Sequence, residues 1–250
     1  MSEETLDEIL NGSIRFYQKR KGYRFSLDSL LLAHFISLKN IKSAVELGCG
    51  NGVVTLILAA RFPNVNFTGV EIQKDLADLA KKNVHLNSAE ENVTILMADA
   101  TKIRNYFPAQ SIETVYFNPP YRKLNSGRIN PDEEKAIARH EIKGSLTIFL
   151  KAAQYLLKPS GKLFAIYPAK RMVELISQLR EKNIEPKRMK LVFSGYTSSA
   201  EFVLMEARKE SREELRIEQS LHIYQDKNIY TPEMEAIFSE LSVIQGDVGG

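Results

Sequence analysis

The sequence has very little cysteine, few histidines and no long apolar run, and each scarcity excludes a class of protein. Cys49 is the one cysteine among 250 residues, which excludes an internal disulfide framework and a cysteine-rich zinc site. The four histidines include no H-x-x-x-H pair, and the sequence predicts no metal. The richest apolar runs, 30–36 and 53–60, fall short of the roughly 18–20 residues that cross a bilayer. The acidic start lacks the basic character of a signal peptide, so we expect a cytoplasmic protein without membrane attachment.

Charge is nearly balanced over the whole chain but unevenly distributed along it. There are 34 lysines and arginines against 31 acids, a net charge of +3. Residues 15–24 combine five cations and three aromatic residues with no acid. Such a mixture can neutralise phosphates and stack on bases, as a nucleic-acid surface requires, whereas a solvated charged face is the plainer alternative.

From Ser43 onward, short β-type runs alternate with longer helical patterns. The predicted strands are 43–47, 66–71, 93–97, 114–117 and 162–167, and the predicted helices are 53–61, 75–87, 145–157 and 171–182. Repeated βα units at this spacing predict a parallel sheet with helices on both faces. Two further β-type runs, 189–193 and 201–206, have no helix between them and predict an antiparallel hairpin that closes the sheet. We therefore expect a core domain over 43–207, an N-terminal extension over 1–42, and a C-terminal tail over 208–250 that packs on or near the core.

A glycine-rich loop follows the first predicted strand and opens the first helix. Its sequence is Glu46-Leu47-Gly48-Cys49-Gly50-Asn51-Gly52. Glycines allow a sharp turn and the close approach of a ligand, and open α/β sheets bind ligands at the carboxyl ends of their strands. A dinucleotide-binding fingerprint would need its third glycine at Val53, so the spacing here differs from that of a dehydrogenase.

Two carboxylates are expected at the same edge of the sheet. Glu71 ends the second strand, 19 residues past Gly52, where an acid can accept hydrogen bonds from both hydroxyls of a ribose. Asp99 follows the third strand. Each acid alone is typical of a helix cap or a solvated loop, but together with the glycine loop they indicate one nucleoside pocket.

This arrangement resembles the class I S-adenosylmethionine-dependent methyltransferases. The resemblance implies a Rossmann-like α/β sandwich with a mostly parallel seven-stranded sheet and a C-terminal antiparallel hairpin. It also implies S-adenosylmethionine as the cofactor, with Glu71 on the ribose and Asp99 at the adenine amine. The glycines that would approach the methionine part are Gly48, Gly50 and Gly52. The remaining predicted cofactor contacts within the core are Glu46, Cys49, Ile72, Ala100 and Asn118. Cys49 is given no chemical role.

The most specific motif is Asn118-Pro119-Pro120-Tyr121, which follows the fourth strand. A simple strand terminator would need only the prolines, which cannot continue a sheet ladder. Asn118 and Tyr121 at the two ends, beside the expected nucleoside pocket, favour a functional interpretation. The motif resembles that of amino-methyltransferases that act on a planar nitrogen, such as adenine N6 or glutamine N5.

The chemistry of a planar nitrogen explains these residue types. An exocyclic amine is a weak nucleophile because its lone pair is delocalised into the ring. The side-chain oxygen of Asn118 and the carbonyl of Pro119 can each accept one N–H, which draws the nitrogen toward tetrahedral geometry. The prolines stiffen the loop, and Tyr121 offers a face for a base taken out of its stack. The mechanism needs no general base, so His140 is not expected to act as one.

Two flanking segments narrow the resemblance. The pattern F-x-x-D-S-x-L-L-A at 25–33 and the tail L-H-I-Y-Q-D-K-N-I-Y-T-P-E-M at 221–234 are similar to the bacterial tRNA methyltransferases that modify adenine 37 of a valine tRNA at N6. The resemblance spans nearly the whole chain and implies tRNA as substrate. Carried over, Phe25 and Asp28 line the cofactor pocket, although Asp28 as the cap of a helix starting at Ser29 is an alternative. The expected substrate contacts are Tyr121, Lys19, Arg20, Lys21 and Arg139, the last in a polar stretch, 122–143, that resembles a flexible lid.

Several alternatives stay open from sequence alone. A release-factor glutamine methyltransferase shares the motif but usually carries a longer helical domain than the 42 residues that precede the first strand here. An adenine N6-methyltransferase of DNA would need a target-recognition domain, and one acting on rRNA shares the same chemistry. A dehydrogenase leaves the Asn118 motif unexplained. A nucleoside- or RNA-binding module without turnover would have little reason to keep Asn118 and the glycine loop. Nothing in the sequence indicates an oligomer, so a monomer is the default.

Overall fold

The computed structural model describes residues 4–10, 12–19, 27–119 and 146–242. The strands are β1 (Glu4–Ile9), β2 (Ile14–Lys19), β3 (Ser43–Leu47), β4 (Asn66–Glu71), β5 (Val93–Met97), β6 (Ile112–Phe117), β7 (Leu157–Pro168), β8 (Ile184–Phe193), β9 (Ala200–Lys209), β10 (Arg216–Ile217), β11 (Leu221–His222), β12 (Tyr224–Asp226) and β13 (Ile229–Tyr230). The helices are α1 (Leu27–Phe35), α2 (Val53–Arg61), α3 (Lys74–Leu86), α4 (146–156), α5 (Met172–Glu181) and α6 (Pro232–Ser242), and 3₁₀ helices cover Ala100–Asn105 and Ala169–Arg171. Within these ranges, no helix is long and apolar enough to cross a membrane.

The main sheet has the strand order β10-β8-β9-β7-β6-β3-β4-β5, with β11 also paired to β8. Strand β9 is antiparallel to both β7 and β8, and all the other pairs are parallel. The predicted fold and its closing hairpin are thus confirmed. The expected seven strands, β3 to β9, are present, but the described sheet has nine because the tail adds β10 and β11 to the β8 edge. These short strands give partners to backbone groups that an edge strand would otherwise leave unpaired.

Buried side chains form one apolar cluster on each face of the sheet. The first cluster includes residues of α1, α2 and α6, and the second includes residues of α4 and α5. Helix α2 is buried over most of its circumference, as its almost continuous apolar sequence predicts. The sheet is therefore covered on both sides, and its strand ends are the places left for a ligand.

The N-terminal region contains an antiparallel hairpin, β1–β2, that the sequence analysis did not anticipate. Phe16 of β2 is fully buried, which anchors the hairpin in the core. On α3, the side-chain amide of Asn83 accepts the N–H of Tyr17 at 2.6 Å and donates to its carbonyl at 3.0 Å. Asn87, one turn later, does the same with Arg15 at 3.0 and 2.6 Å. The two asparagines act as a partner strand along the edge of β2.

The C-terminal tail returns to the first helix. Helix α6 begins at Pro232, and the hydroxyl of Thr231 accepts the N–H of Met234 at 3.2 Å, which caps it. Met234 is fully buried, and α6 packs on α1 and β11. Across this contact, His34 Nε2 lies 2.9 Å from a carboxylate oxygen of Glu240. The tail thus holds α1 in place over the sheet.

Candidate active site at the carboxyl ends of the strands

Four neighbouring parallel strands, β5, β4, β3 and β6, end at one edge of the sheet, which we call the carboxyl rim. Their ends are level, since Leu47 pairs with Val70 and Glu71 with Met97. Each strand is followed by a group that the sequence analysis assigned to the site: the glycine loop after β3, Ile72 after β4, Asp99 after β5, and Asn118 after β6. The structure therefore places these residues along one rim. Strands β7 and β8 run in the same direction and end at the same edge.

The glycine loop needs its glycines for backbone conformation and for space. Gly48, Gly50 and Gly52 have φ angles of 72°, 57° and 83°, in the left-handed region that favours glycine. A Cβ on Gly48 would lie 2.9 Å from the ring of Phe149, and one on Gly52 would lie 3.3 Å from the Cβ of Ala80. Any larger residue at Gly48 would have to displace Phe149 or change the shape of the loop.

Glu71 ties the glycine loop to the end of β4. One carboxylate oxygen accepts the N–H of Gly50 at 2.9 Å, and the other accepts the N–H of Gln73 at 2.8 Å. The N–H groups of Gly48 and Cys49 bond the carbonyl of Val70 at 2.8 and 3.1 Å. A carboxylate has about four acceptor positions, so Glu71 can hold the loop and still accept hydroxyl donors from a ligand.

The side chains of Glu46 and Cys49, which belong to the glycine-loop segment, are buried. Glu46 is buried, and one oxygen accepts both the N–H and the hydroxyl of Thr55, which also lies 2.9 Å from the hydroxyl of Tyr116. Burial raises the pKa of Glu46 to about 8, so its carboxyl is mainly neutral at pH 7. Burial also raises the pKa of the Cys49 thiol, whose sulfur would be 2.9 Å from a Cβ on Gly69. Both buried side chains stabilise the conformation of the glycine loop: Glu46 through Thr55, and Cys49 by packing against Gly69.

Asp99 and Ile72 form the outer part of the site. The carboxylate of Asp99 accepts the N–H of Thr101 at 2.8 Å, which caps the 3₁₀ helix that starts at Ala100. This hydrogen bond lowers the pKa of Asp99, so its carboxylate is ionised at neutral pH. Ile72 is 62% exposed, an uncommon position for a large apolar side chain beside a polar loop. An acceptor and an apolar face are together what an adenine ring requires.

Asn118 contacts the N-terminal helix. Its side-chain nitrogen donates to the hydroxyl of Ser29 at 3.4 Å, across 89 residues of sequence. Pro119 is buried beside it. The described part of α1 starts at Leu27, so Asp28 lies inside the helix, and the alternative that it caps a helix starting at Ser29 is wrong. Asp28 is buried, and its carboxylate accepts the N–H of Ser29 at 2.9 Å.

Several predicted site residues lie outside the described residues. These are Phe25, Pro120, Tyr121, Arg20, Lys21 and Arg139. Lys19 is described, and its ammonium lies 3.0 Å from a carboxylate oxygen of Asp75 on α3. Because this ion pair is largely exposed, it contributes little to stability and leaves Lys19 available to another anion.

A family model described as "Putative methyltransferase" matches residues 40–124, which contain the glycine loop and Asn118. A protein of Tolumonas auensis named tRNA1(Val) (adenine(37)-N6)-methyltransferase is 28% identical over 89% of this chain and 91% of its own length. A protein of Vibrio cholerae with the same name is 26% identical over 71% of this chain and 74% of its own length.

Solved structures show the same fold. A predicted O-methyltransferase of Agrobacterium tumefaciens superposes with a TM-score of 0.69 at 19% identity, covering 86% of this chain and 96% of that one. An S-adenosylmethionine-dependent O-methyltransferase of Thermotoga maritima superposes with a TM-score of 0.53 at 18% identity, covering 78% of this chain and 69% of that one. The chain thus has the fold of the class I S-adenosylmethionine-dependent methyltransferases. S-adenosylmethionine is the methyl donor of this methyltransferase, and the family resemblance stated from sequence is confirmed by its named relatives.

The residues of the carboxyl rim fit that cofactor. Glu71 has acceptor positions left for the ribose hydroxyls, Ile72 offers an apolar face for the adenine, and Asp99 offers an ionised acceptor for the adenine amine. The glycine loop brings backbone N–H groups close to the methionine part without side chains in the way.

Sequence reasoning missed residues that act through others. Ser29, Thr55 and Asn83 each hold a neighbouring group of the methyltransferase site in place. Phe149 sets the space available at Gly48. No motif contains these residues together with their partners. Ser29 alone lies within a motif, D-S-x-L-L-A, and that motif does not indicate its contact with Asn118.

Proposed function

We propose that this methyltransferase transfers a methyl group to N6 of an adenine in tRNA, with adenine 37 of a valine tRNA as the target. The observation that carries the proposal is the position of Asn118, at the end of β6 and next to the glycine loop on the carboxyl rim. The relative from Tolumonas auensis, whose name states this reaction, matches this chain over 91% of its own length, which also supports it.

S-adenosylmethionine supplies an electrophilic methyl group on a sulfonium. The residues that would hold it are Glu71 at the ribose, Asp99 and Ile72 at the adenine, and the glycine loop at the methionine part. Phe25 and Asp28 are further proposed contacts, with Asp28 close to Asn118 through their shared neighbour Ser29.

Asn118 and Pro119 would orient the acceptor amine. The amide nitrogen of Asn118 donates to Ser29, and a planar amide then directs its oxygen to the opposite side, where it can accept an N–H. The carbonyl of Pro119 would accept the second N–H. Two acceptors held in place turn the nitrogen lone pair toward the methyl carbon, so positioning supplies much of the rate enhancement. The proton leaves to water after transfer, since methylation makes the nitrogen acidic.

The target adenine must leave its stack to reach the rim. Tyr121 would provide the surface on which the extruded base lies. Lys19, Arg20 and Lys21, at the end of β2 and after it, would neutralise phosphates of the tRNA. Arg139 is a further proposed phosphate contact.

The proposal is tested by supplying labelled S-adenosylmethionine with three acceptors in parallel. The acceptors are bacterial tRNA lacking its N6-methyladenosine, an unmodified release factor, and double-stranded DNA. We expect label in tRNA, and digestion should release it as N6-methyladenosine. Mass spectrometry should locate the methyl group at adenine 37 of a valine tRNA. Label in the release factor would move the activity to a glutamine, and label in DNA alone would also overturn the proposal.

A further inference from the structure

Three aromatic rings are stacked at the end of β8, outside the cofactor site. The ring of Phe193 stacks on that of His222 with 5.1 Å between centroids and 22° between planes. The ring of Tyr196 lies on His222 at 4.8 Å and 34°. Tyr196 is the outermost ring and is 65% exposed, so one face of it is open to a ligand.

The turn that carries Tyr196 is held by several hydrogen bonds. The hydroxyl of Ser198 donates to the carbonyl of Gly195 at 2.8 Å and accepts the N–H of Gly195 at 3.0 Å. The N–H of Tyr224 in the tail bonds the carbonyl of Ser194 at 2.9 Å. These bonds hold the backbone of the turn, and the contact with His222 restrains the ring of Tyr196, which reduces the entropy lost when a flat ligand stacks on it.

The stack lies at the same edge of the sheet as Asn118. Strand β8 is parallel to β6, and β7 and β9 lie between them, so three steps of ~4.8 Å separate the two strands by roughly 14 Å across the sheet. The end of β6, Phe117, is level with Met189, and β8 continues four residues beyond it, ~13 Å at ~3.3 Å per residue, so the two strand ends lie roughly 19 Å apart. A base on Tyr196 would thus belong to a nucleotide some positions away from the methylated adenine. Between the two strand ends, Lys170 follows β7 and is exposed, with no ion pair among the residues that the structure describes.

A cavity of about 390 Å³ opens beside Tyr196. Polar groups from the tail line it, among them Gln219, Ser220 and Glu233. The carboxylate of Glu233 lies 3.2 Å from the ammonium of Lys190, which offsets its charge. An aromatic wall with donors and acceptors around it matches the stacking face and hydrogen-bonding edge of a nucleobase.

We propose that Tyr196 and this cavity bind one unpaired base of the RNA substrate, a few nucleotides along the strand from the adenine that is methylated. Lys170 contacts a phosphate between the two bases. This inference rests on the proposed function, because it assumes an RNA substrate at the carboxyl rim. It gives the C-terminal tail a role in substrate recognition, since His222 and the cavity lining come from the tail.

The test measures the affinity of a valine tRNA transcript and of S-adenosylmethionine for wild-type protein and for Tyr196→Ala and Tyr196→Phe. Stacking of a base on an aromatic side chain predicts roughly 5- to 100-fold weaker tRNA binding for Tyr196→Ala and little change for Tyr196→Phe. Cofactor affinity should be unchanged in both, which also shows that the variants are folded. Tyr106→Ala is the matched control. Tyr106 is also an exposed tyrosine, at 49%, but it lies away from the stack, between the 3₁₀ helix Ala100–Asn105 and β6.

Transcripts with a single abasic nucleotide near adenine 37 identify the base. At the nucleotide that stacks on Tyr196, removal of the base should weaken wild-type binding as much as Tyr196→Ala does, and the two losses should not add. Suppose that wild type binds and methylates tRNA. The inference is then wrong, and the proposed function stands, if Tyr196→Ala binds tRNA equally well. The same holds if the loss of affinity at every abasic position adds fully to the loss caused by Tyr196→Ala. If wild type neither binds nor methylates tRNA, the proposed function fails and the inference fails with it.

Discussion

At the scale of single residues, the contact between Asn118 and Ser29 determines which way the amide faces. An amide has a donor end and an acceptor end, and only the acceptor end can orient an amine. The hydroxyl of Ser29 receives the donor end at 3.4 Å, and Ser29 itself is buried on α1. Ser29 is therefore a positioning residue for the proposed reaction, and its effect should appear in turnover more than in binding.

Replacing Ser29 by Ala tests this role. We expect kcat for tRNA methylation to fall about 3- to 10-fold, the value of one hydrogen bond, with KM for tRNA and cofactor affinity nearly unchanged. Ser37→Ala, at an exposed serine after α1, is the control and should behave as wild type. An unchanged kcat, or a matching loss of cofactor affinity, would count against the positioning role.

The buried carboxyl of Glu46 predicts how the stability of the protein depends on pH. Its folded pKa is raised to about 8 by burial, whereas the carboxyl of an unfolded chain has a pKa near its usual value of 4.5. The folded protein keeps a proton that the unfolded chain releases, so the stability contributed by this group is highest below about pH 4.5. It declines as the pH rises and levels off above about pH 8.

Glu46→Gln should remove this decline, because glutamine is neutral and can still accept from Thr55. Between pH 5 and pH 8, urea unfolding should show wild type losing roughly 2–4 kcal/mol of stability relative to the variant. Glu113→Gln is the control, since hydrogen bonds from Lys42 and Lys158 lower the pKa of Glu113. Its difference from wild type should stay constant over this range. A constant difference for Glu46→Gln as well would contradict the assignment.

At the scale of elements, the β1–β2 hairpin is fastened to the glycine loop through α3. Asn83 is fully buried and bonds both backbone groups of Tyr17, and its amide nitrogen also donates to the carbonyl of Asn51 at 3.0 Å. A single side chain therefore connects the hairpin, the helix and the cofactor loop. Asn87 makes the equivalent bonds to Arg15 in a more exposed position.

The two asparagines allow a matched comparison. Asn83→Ala leaves buried backbone groups without partners and should lower the free energy of unfolding by about 2–4 kcal/mol, with weaker cofactor binding. Asn87→Ala should cost about 1 kcal/mol or less, because water replaces the lost bonds. Chemical denaturation and cofactor titration of both variants measure this. Equal losses of unfolding free energy and of cofactor affinity in the two variants would show that the hydrogen bond from Asn83 to the glycine loop contributes nothing extra.

Helices and strands could be predicted from sequence where the residues that specify them are close together in the chain. Strand β3 and helix α2 have the bounds predicted from sequence, and β4 and β5 do as well, because each is a compact apolar run next to a turn. Strand β7 was predicted as 162–167 but starts at Leu157, since Pro159 and Gly161 within it resemble a loop. The β1–β2 hairpin was missed because its strands are highly charged, and they are stabilised by α3 far along the chain.

The same distinction holds for the site. The glycine loop, Glu71, Asp99 and Asn118 could be predicted as neighbours because each follows a parallel strand, and such strands end at one edge. The contact of Ser29 with Asn118 could not, because it depends on how α1 packs over the sheet. Helix α1 in turn is held by α6, more than 200 residues later, through contacts such as His34 with Glu240.

At the scale of the whole molecule, the proposed tRNA surface combines the basic segment 15–24 with the carboxyl rim. Replacing Lys19, Arg20 and Lys21 together by Ala should weaken tRNA binding and flatten its dependence on salt, with a slope smaller by about 2, because fewer counterions are released. Lys39→Ala with Lys42→Ala is the control, since both lysines precede β3 at the opposite end of the strands. Fluorescence titrations at several salt concentrations measure both. Unchanged binding at moderate salt would remove the basic segment from the proposed surface.

The most direct test of the account separates methyl transfer from cofactor binding in Asn118→Ala. We expect S-adenosylmethionine to bind this variant within about threefold of wild type, while formation of N6-methyladenosine in tRNA falls by roughly 100- to 1000-fold. Asn64→Ala, at an exposed asparagine between α2 and β4, should keep both properties. Normal turnover by Asn118→Ala would contradict the central claim that this side chain orients the amine that is methylated.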